Sequence, residues 1–599
     1  VGERTREEIE ASVRRQVLRE AVVADAVDVK VSGFWTSRKT HKQRWCVVML
    51  GCLLVFGIIV AIILAFVTNG NNPDTDMNIG TPPVPLLPTA APTSFRPKSI
   101  ENCADFQYGD HFLIDEDPEI YRDEYERIYN VSKTSIPNFN VEILTEEDLC
   151  SPQNLALWWL AFTNATVSKV SLETRYALVI IFLSLKPTVS STSYFWFYET
   201  PVVCEWIGVI CDGSGDVTIL DASEAGLAGS LPTEIGLLTS AKTISMAANG
   251  VTGTLPSEVG YLTNLESISL SSNFLSGTIP TEVGQMTSIE EIDFSSNHFS
   301  GSIPLEVTHL SQLSVQLNLG DNALAGTIPT EIGNLLLLEW LDLSYNFFEG
   351  SIPTQIGGLA RLVGIDLGIS FLSGKVPSEL QRLTRLRTLV LSGGFLSGAV
   401  LEEVVSLDKL VWLQLDRNLF WGSLPKDIGN LSLLEELRLE ENFLYGSIPS
   451  EVGALNQLLS FTVSNNHFTS QIPTEVGNLW GLETLELDHN GFTGTIPTEF
   501  GNLGSIEVIS MTNNSLAGFL PSELGQLGIL VVLALSDNPG IQGMIPTEFG
   551  GLESLEVLLL NETGVTGSVP TDVCNIFSEG SAHLIAVPCT VSCSCCLPC

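Results

Sequence analysis

LSLLEELRLEENFLYGSIPSEVGAL, residues 431–455, decides the fold, because nearly the same order of residue types returns at intervals of about 24 residues. In most copies a glycine precedes a small residue, an aliphatic residue and a proline. This position occurs fifteen times, with Ser470 as the one exception to glycine. The nearly evenly spaced positions are Gly229, Gly253, Gly277, Gly301, Gly326, Gly350, Gly374, Gly398, Gly422, Gly446, Ser470, Gly494, Gly518, Gly543 and Gly567. The chain is therefore built mainly from one repeated unit.

Within each copy the apolar residues follow L-x-x-L-x-L-x-x-N-x-L, as in Leu434, Leu437, Leu439, Asn442 and Leu444. This period and pattern indicate leucine-rich repeats. The alternation through Leu437 and Leu439 predicts a short strand with one buried face, and stacking such strands buries all the leucines in one continuous core. The predicted fold class is an α/β solenoid of about 15 repeats, curved, with a parallel strand sheet on its concave face.

An asparagine follows the strand in most repeats, and it could be interpreted as a row of binding residues. We interpret the row as structural, because an amide there can satisfy backbone groups that stacking removes from water. The residues are Asn249, Asn273, Asn297, Asn322, Asn346, Asn418, Asn442, Asn466, Asn490, Asn514 and Asn538.

Several stretches resemble known families. The unit NxLxGxIPxExG, as in NGFTGTIPTEFG (490–501), resembles the plant-type leucine-rich repeats of receptor-like proteins, and CEWIGVIC (204–211) is similar to their amino-terminal cap. SPQNLALWWLAF, TRYALVIIFLSL and the terminal VPCTVSCSCCLPC resemble segments of leucine-rich receptor-like proteins of diatoms and related algae. The resemblance implies a disulfide between Cys204 and Cys211, and a second, outer layer with helical turns formed by the GxIPxExG segments.

An uncharged apolar run, 46–67, is long enough to cross a bilayer as a helix. The basic residues shortly before it are Arg38, Lys39, Lys42 and Arg44, and the next basic residue after it is Arg96. The positive-inside rule then places the amino terminus in the cytoplasm. We expect a single-pass protein of the plasma membrane with extracellular repeats. A cleaved signal peptide is the alternative, although the run is longer than an ordinary signal core.

These features divide the chain into a cytoplasmic tail (1–45), a transmembrane helix (46–67), a stalk rich in proline and threonine (68–101), a helical amino-terminal cap region (102–216), the repeats (217–570) and a cysteine-rich carboxy-terminal cap (571–599). The apolar run 176–185 is too short to span a bilayer, so we expect a buried helix that packs on the first repeat.

Ten of the twelve cysteines lie outside the predicted span, and none lies in repeats two to fourteen. We expect disulfides to close the two ends, where a solenoid would otherwise expose its core. CSCCLPC (593–599) also admits a zinc site, but no histidine lies among these cysteines and an exported domain favours disulfides. The candidate glycosylation sites are Asn130, Asn164, Asn430, Asn513 and Asn561.

The formal charge is -41, and because residues 1–45 carry a net charge of +3, the rest carries -44. Nucleic acid is therefore not an expected partner, since phosphate binding needs a basic face. No nucleophile elbow, phosphate loop or HExxH motif occurs in a supporting context. We expect neither an enzyme nor a bound cofactor.

The variable residues that alternate with the strand leucines must point away from the core. Aromatic and charged residues mixed on a rigid sheet are typical of an interface for a protein, peptide or glycan, although each one alone is as well explained as solvated surface. We therefore expect that Trp412→Ala and Glu440→Ala would leave folding nearly unchanged. The candidates are Trp340, Asp342, Tyr345, Trp412, Gln414, Asp416, Arg417, Glu436, Arg438, Glu440, Glu441, Glu486, Asp488 and His489.

Repeats seven and eight depart from the pattern together. Ser370 and Gly394 replace the asparagine, and Leu401 replaces the proline. Sequence drift is one explanation, and a local change of curvature or a docking site for a partner is the other.

The leading hypothesis is a single-pass receptor-like protein that binds an extracellular protein, peptide or glycan ligand and signals through a co-receptor. The alternative is a cell-surface adhesion or cell-wall structural protein in which the repeats are a spacer. An enzyme inhibitor of the plant leucine-rich type would need a secreted chain.

The topology can be tested with a tag at residue 1. The basic residues before the span predict that the tag is protected from protease in intact cells, while Asn430 or Asn513 becomes glycosylated. A tag that is digested from outside the cell would contradict this topology.

Overall fold

A computed structural model of the protein describes residues 152–162, 170–185, 202–577 and 584–595. Each repeat contributes one strand to each of two sheets, and a short helical turn follows the second strand. The described strands form one sheet of 17 strands and a second of 15. The predicted solenoid of parallel strands in leucine-rich repeats is confirmed.

The 17-stranded sheet contains β1, β2 and then every even-numbered strand, numbered along the chain. These are β1 (Val209–Cys211), β2 (Val217–Asp221), β4 (Thr243–Ser245), β6 (Ser267–Ser269), β8 (Glu291–Asp293), β10 (Gln316–Asn318), β12 (Trp340–Asp342), β14 (Gly364–Asp366), β16 (Thr388–Val390), β18 (Trp412–Gln414), β20 (Glu436–Arg438), β22 (Ser460–Thr462), β24 (Thr484–Glu486), β26 (Val508–Ser510), β28 (Val532–Ala534), β30 (Val557–Leu559) and β32 (Leu584–Ala586).

The 15-stranded sheet contains the odd-numbered strands from β3. They are β3 (Ala228–Ser230), β5 (Gly250–Thr254), β7 (Phe274–Thr278), β9 (His298–Gly301), β11 (Ala323–Thr327), β13 (Phe347–Gly350), β15 (Phe371–Lys375), β17 (Phe395–Gly398), β19 (Leu419–Gly422), β21 (Phe443–Gly446), β23 (His467–Gln471), β25 (Gly491–Gly494), β27 (Ser515–Phe519), β29 (Gly540–Gly543) and β31 (Gly564–Val565).

Helical segments are short within the repeats. The α-helices are α1 (Pro152–Phe162), α2 (Leu172–Leu185), α3 (Val400–Val404) and α4 (Thr571–Ile576). The 3-10 helices are Val203–Glu205, Thr233–Leu237, Ser257–Tyr261, Thr281–Gln285, Leu305–His309, Thr330–Asn334, Thr354–Gly358, Ser378–Arg382, Lys426–Asn430, Ser450–Ala454, Thr474–Asn478, Thr498–Asn502, Ser522–Gln526 and Thr547–Gly551.

The core is a stack of identical positions. In the 17-stranded sheet β1 pairs antiparallel with β2, and the other strands pair in parallel. Leu413, Leu437 and Phe461 lie directly opposite one another on successive strands, and none of the three side chains is accessible to solvent. This constant register converts the sequence period into one continuous apolar column.

The asparagine row holds neighbouring repeats together. The Oδ1 of Asn442 accepts a hydrogen bond from the backbone N–H of Phe420 (3.0 Å), and its Nδ2 donates to the carbonyl of Leu415 in the preceding repeat (2.9 Å). The same Nδ2 donates to the carbonyls of Leu439 and Glu440 in its own repeat (both 3.2 Å). Asn442 is only 5% exposed. The structural interpretation of the asparagine row is confirmed.

Repeats seven and eight lack this amide. Ser370 is buried, and its hydroxyl has no hydrogen-bond partner among the described residues. In repeat eight, Leu401 stands where proline normally restricts the backbone, and α3 replaces the usual 3-10 helix. The N–H of Val405 donates to the carbonyl of Leu401 (3.3 Å), an α-helical bond four residues apart. The altered sequence therefore changes local hydrogen bonding without interrupting either sheet.

Two repeats are longer than the others by a single residue, and the structure places that residue outside the buried strand positions. Before β10, Ser314 and Val315 both donate their N–H to the carbonyl of Glu290, at 3.1 and 2.8 Å. Gln316 still lies opposite Glu291. The second extra residue, Pro539, follows Asn538 immediately before β29. The strand register therefore survives both insertions.

The amino-terminal end is covered by α1 and α2. The Ser171 hydroxyl accepts the N–H of Thr174 (3.1 Å) and so caps α2, which is almost entirely buried. α2 packs so closely on the first repeat that a Cβ added to Gly229 would lie 2.2 Å from the Ser184 carbonyl oxygen. The expected packing of this helix and the Cys204–Cys211 disulfide are both present.

The carboxy-terminal end carries the last parallel strand, β32, and a second disulfide, Cys574–Cys595. Cys593 is also disulfide-bonded, and the Sγ atoms of these three cysteines lie within 4.8 Å of one another. A sulfur in a disulfide cannot be a thiolate ligand, so this arrangement favours the disulfide interpretation over zinc.

The predicted tail, membrane span and stalk, residues 1–101, lie outside the described residues, as do residues 102–151 of the cap region. Among the helices that the structure describes, none has the length and apolar character needed to cross a bilayer.

The stabilising role of the asparagine row can be tested by replacing one asparagine with serine and, in the reverse direction, the serine of repeat seven with asparagine. Asn346→Ser should lower the free energy of unfolding by about 1–3 kcal/mol for each buried backbone group that loses its partner. Ser370→Asn should instead raise the midpoint of thermal unfolding, because it supplies the missing amide. Circular dichroism during heating would measure both changes. An Asn346→Ser protein as stable as the parent would contradict the structural role.

Candidate functional site

The predicted ligand-binding residues lie on the outward side of the 17-stranded sheet or directly after its strands. They extend over seven neighbouring strands, β12 to β24, which at about 4.8 Å per strand span roughly 29 Å. Trp340, Asp342, Trp412, Gln414, Glu436, Arg438 and Glu486 lie on strands, and Tyr345, Asp416, Arg417, Glu440, Glu441, Asp488 and His489 follow them. They form three groups.

The first group surrounds β12 and β14, where a tryptophan lies over a glycine. Trp340 lies opposite Gly364 in the sheet, and a Cβ added to Gly364 would be 2.1 Å from the indole Cε3 and Cζ3 atoms. The indole therefore lies against the bare backbone of the neighbouring strand. Gly364 was not among the predicted site residues, although it breaks a column of larger side chains in the aligned repeats.

Next to this indole, two carboxylates occupy adjacent strands. Asp342 lies directly opposite Asp366. Asp342 Oδ1 accepts the backbone N–H (2.9 Å) and the hydroxyl (2.6 Å) of Ser344, and Asp366 Oδ1 accepts the N–H of Gly368 (2.9 Å). These bonds fix both carboxyl groups at the sheet surface. Asp366 was also not among the predicted site residues, although aligning the repeats places it beside Asp342.

Burial changes the acidity of this pair. Loss of solvent raises the pKa of Asp366 from 3.8 to about 7, opposed by the Gly368 N–H and reinforced by the negative charge of Asp342. Burial also raises the pKa of Asp342, against the two Ser344 hydrogen bonds. The raised pKa of Asp366 places its loss of a proton near neutral pH.

The second group is a charged network around Arg438. Its Nε lies 3.5 Å from Glu436 Oε1 and 3.6 Å from Glu440 Oε1. Burial lowers the pKa of Arg438, but four carboxylates, including Asp416 and Glu486, raise it by more, so the guanidinium stays charged. Arg438 is therefore surrounded by acids of this chain.

The structure corrects the expectation that Glu440 is an independent surface residue. Its side chain is 14% exposed, and its Oε2 accepts the hydroxyl hydrogen of Thr462 (2.6 Å) from the next strand. Asp416 is 5% exposed and accepts a hydrogen bond from Ser392. We now expect Glu440→Ala to destabilise the fold, because it would remove partners from Arg438 and Thr462. Trp412 is half-buried rather than fully exposed.

The third group is centred on Asp488, which joins three repeats. Its Oδ1 accepts the hydroxyl of Ser510 (2.6 Å), the backbone N–H of Thr512 (2.6 Å) and the hydroxyl of Thr512 (2.8 Å). On the other side, its Oδ2 accepts the Ser464 hydroxyl (3.2 Å). These contacts give Asp488 a role in holding neighbouring strands, whereas His489 beside it is exposed.

Four candidates share an unusual backbone conformation. Tyr345, Arg417, Glu441 and His489 have φ between 51° and 54°, the left-handed region. The same position has positive φ in the other repeats, including Ser296 and Asp537, so the conformation belongs to the turn before the asparagine row. Tyr345 is 59% exposed, and Arg417 forms an exposed ion pair with Glu441 (3.4 Å).

Three of the five candidate glycosylation sites are described. Asn430 and Asn513 are exposed, whereas Asn561 is half-buried and accepts a hydrogen bond from the Ser536 hydroxyl (2.6 Å). Asn130 and Asn164 lie outside the described residues. Glycosylation of each stays a prediction.

The Leucine Rich Repeat family profile matches residues 264–286, 288–310, 337–359 and 481–503. Together with the two sheets, these matches identify the repeats as leucine-rich repeats. No match to this chain was found among curated proteins.

The chain is similar in structure to plant receptor ectodomains. The plant peptide hormone receptor RGFR1 in complex with RGF2 is 28% identical, with 61% of this chain and 62% of that chain covered and a TM-score of 0.56. PEPR1–AtPEP1 is 27% identical, with coverages of 69% and 65% and a TM-score of 0.57. A TDR receptor is 29% identical, with coverages of 62% and 64% and a TM-score of 0.59. The chain thus spans less than two thirds of the length of these receptor chains.

The raised pKa of Asp366 predicts a pH-dependent loss of stability. Above an ordinary pKa of 3.8 the unfolded chain releases this proton, whereas the folded protein retains it until pH approaches about 7. The parent should therefore lose stability relative to Asp366→Asn as pH rises through this window, with the difference constant above it. Asparagine retains an oxygen for the Gly368 N–H. Thermal midpoints measured across the window would test this, and a difference independent of pH would contradict it.

Proposed function

We propose that this chain is a single-pass, membrane-anchored receptor-like protein whose leucine-rich repeats bind an extracellular peptide and which signals through a co-receptor. The observation that carries the proposal is the Asp342–Asp366 pair beside the Trp340 indole. The leucine column and the asparagine row do not require two acids at this position. Several other repeats form the same strands without an acid there, as at Ser269, Asn318 and Ala534, and among the described strand pairs Asp342–Asp366 is the one that places two acids opposite each other in this column.

The shape of this surface favours an extended ligand. β14 carries Gly364 and Asp366, and Gly368 follows it. The larger side chains Trp340 and Trp412 lie on β12, the next strand on one side, and on β18, two strands away on the other side. A peptide that crosses these strands can place side chains between the two indoles. Because the sheet is held by the repeats on both sides, binding would require little backbone rearrangement.

The chemistry of the surface favours a cation on the ligand. Asp342 and Asp366 can accept hydrogen bonds from arginine, lysine or an amino terminus, and binding such a group would stabilise the charged form of Asp366. Arg438 already has carboxylates of this chain around it, so it is less suited to bind an acidic ligand. The similarity to RGFR1 in complex with RGF2 supports a peptide over a glycan.

Membrane anchoring and topology rest on the apolar run 46–67 and the basic residues before it. Co-receptor signalling rests on the resemblance to receptor-like proteins, as does a source among diatoms or related algae. The adhesion or cell-wall alternative is the outcome if the sheet binds no peptide.

The proposal can be tested with a random peptide display library and the immobilised full-length protein. Peptides retained at pH 7.5 should be enriched in arginine or lysine. Changing both Asp342 and Asp366 to asparagine should weaken retention by about 10-fold or more, the effect of losing charged hydrogen bonds. Retention by the parent should also fall below pH 7, because Asp366 then holds its own proton.

Asp293→Asn is the matched control. Asp293 occupies the same column on β8, and its Oδ1 accepts the N–H (3.1 Å) and hydroxyl (2.6 Å) of Ser295, as Asp342 does with Ser344. It lies two strands from β12. Its charge contributes to the raised pKa of Asp342, but burial is the largest cause, so its change should leave retention within about 2-fold. If no peptide is retained above background, or if the control weakens binding equally, this surface is not the peptide site.

A further inference from the structure

The 15-stranded sheet carries an exposed apolar side chain at the same position of five successive strands. Phe347, Phe371, Phe395, Leu419 and Phe443 are the first residues of β13, β15, β17, β19 and β21. Their exposed fractions are 52, 52, 52, 42 and 44%. The rings of Phe347 and Phe371 stack with centroids 6.0 Å apart, and those of Phe371 and Phe395 with centroids 6.4 Å apart.

Two larger aromatic residues widen one end of this row. Trp421 and Tyr445 follow Leu419 and Phe443 by two residues, so they lie on the same side of their strands. Trp421 is 49% exposed and lies opposite Phe443 in the sheet, and Tyr445 is 51% exposed. We call the set of seven residues the aromatic ridge: Phe347, Phe371, Phe395, Leu419, Phe443, Trp421 and Tyr445.

The fold does not require the aromatic ridge. The same first-strand position holds Gly250, Ala323, Gly491 and Ser515 in other repeats, and all of those repeats form the same two strands. The buried residue that follows, such as Phe348 or Leu372, supplies the packing in every case. The ridge is therefore an addition to the surface of five consecutive repeats.

Its size is that of one side of a protein interface. Seven large side chains, each about half exposed and each offering about 150–250 Å² when fully buried, present roughly 500–900 Å² of mostly apolar surface. The largest apolar patch on a monomer is usually about 300–600 Å², and a stable interface buries about 800 Å² per partner. The exposed apolar area of the ridge is therefore large enough for one side of a stable interface.

The charges around the ridge indicate which partner it fits. Glu349 lies opposite Phe371, Lys375 lies opposite Ser397, and Arg417 pairs with Glu441 at 3.4 Å. Two acids and two bases thus border the ridge, although the whole chain carries a charge of -41. A partner selected by opposite charge would find no single sign here, whereas a second copy brings the same apolar residues and both signs.

We propose that the aromatic ridge is the self-association surface of this protein and that its occupant is the ridge of a second copy. A two-fold symmetric contact needs a self-complementary patch, and an apolar ridge bordered by both signs satisfies this condition. Burying the rings of two copies against each other removes from water the apolar surface that each monomer exposes. This inference goes beyond the proposed function and does not depend on it, since the proposed peptide site lies on the other sheet.

The test is the mass of the full-length protein in detergent micelles, measured by light scattering over a range of concentrations. The parent should form dimers. Changing both Phe371 and Phe395 to glutamate should raise the dimer dissociation constant by more than about 30-fold, because the new charges would be buried at the centre of the contact. Both positions are half exposed in the monomer, so the far-ultraviolet circular dichroism spectrum of the variant should match that of the parent.

Phe274→Glu is the matched control. Phe274 occupies the same column on β7, is 55% exposed and contacts the His298 ring at 5.9 Å, but lies outside the ridge. It should leave the dissociation constant within about 2-fold. If the double glutamate protein does not fold, changing both residues to alanine should still weaken the dimer by about 10-fold.

The proposal fails if the parent stays monomeric at all concentrations, or if the glutamate or alanine variants still form the dimer. It also fails if these variants no longer retain the peptides that the parent retains. The last outcome would assign the ridge to the ligand. Loss of the dimer with peptide retention unchanged would support self-association and leave the proposed function standing.

Discussion

The amide of the asparagine that most repeats share is the constraint on which the regular turns of the solenoid depend. A leucine column alone would hold the strands together without specifying how the chain turns after each strand. The asparagine specifies the turn, because its oxygen accepts an N–H from the preceding repeat while its nitrogen donates to carbonyls of both repeats. The asparagine thus fixes both the turn after the strand and the contact with the preceding repeat. The side chains on the outer faces of both sheets therefore do not determine the fold and can vary.

Much of the architecture was predictable from residue spacing, because the fold repeats one local solution. Leu437 and Asn442 have nearly the same surroundings as their equivalents in other repeats, so periodicity alone identified the buried strand and the structural amide. The predicted helix on the first repeat and the Cys204–Cys211 disulfide are also present. The number of strands in the 15-stranded sheet equals the number of repeats counted from the glycine positions.

The functional surface was less predictable, because it depends on contacts between neighbouring strands. Glu440 appeared exposed by its alternation with leucine, but a guanidinium and a threonine hydroxyl from adjacent positions enclose it. Asp366 acquires its raised pKa only through burial beside Asp342. The aromatic ridge was missed for a different reason: its residues follow the asparagine and were judged only by repeat pattern, whereas their significance comes from five equivalent positions side by side.

The tolerance of strand register to an extra residue, at Ser314 and at Pro539, has a consequence for how such a protein evolves. Since each strand aligns with its neighbours through the same atoms, gain or loss of a whole repeat by unequal recombination would preserve the fold while changing which side chains become neighbours. Loss of the repeat that contains Asp366, for instance, would bring Asp342 beside Val390, the residue now opposite Asp366 on its other side. A single genetic event could therefore replace a pair of acids with an acid and an aliphatic residue, and so alter ligand preference in one generation without passing through an unfolded intermediate.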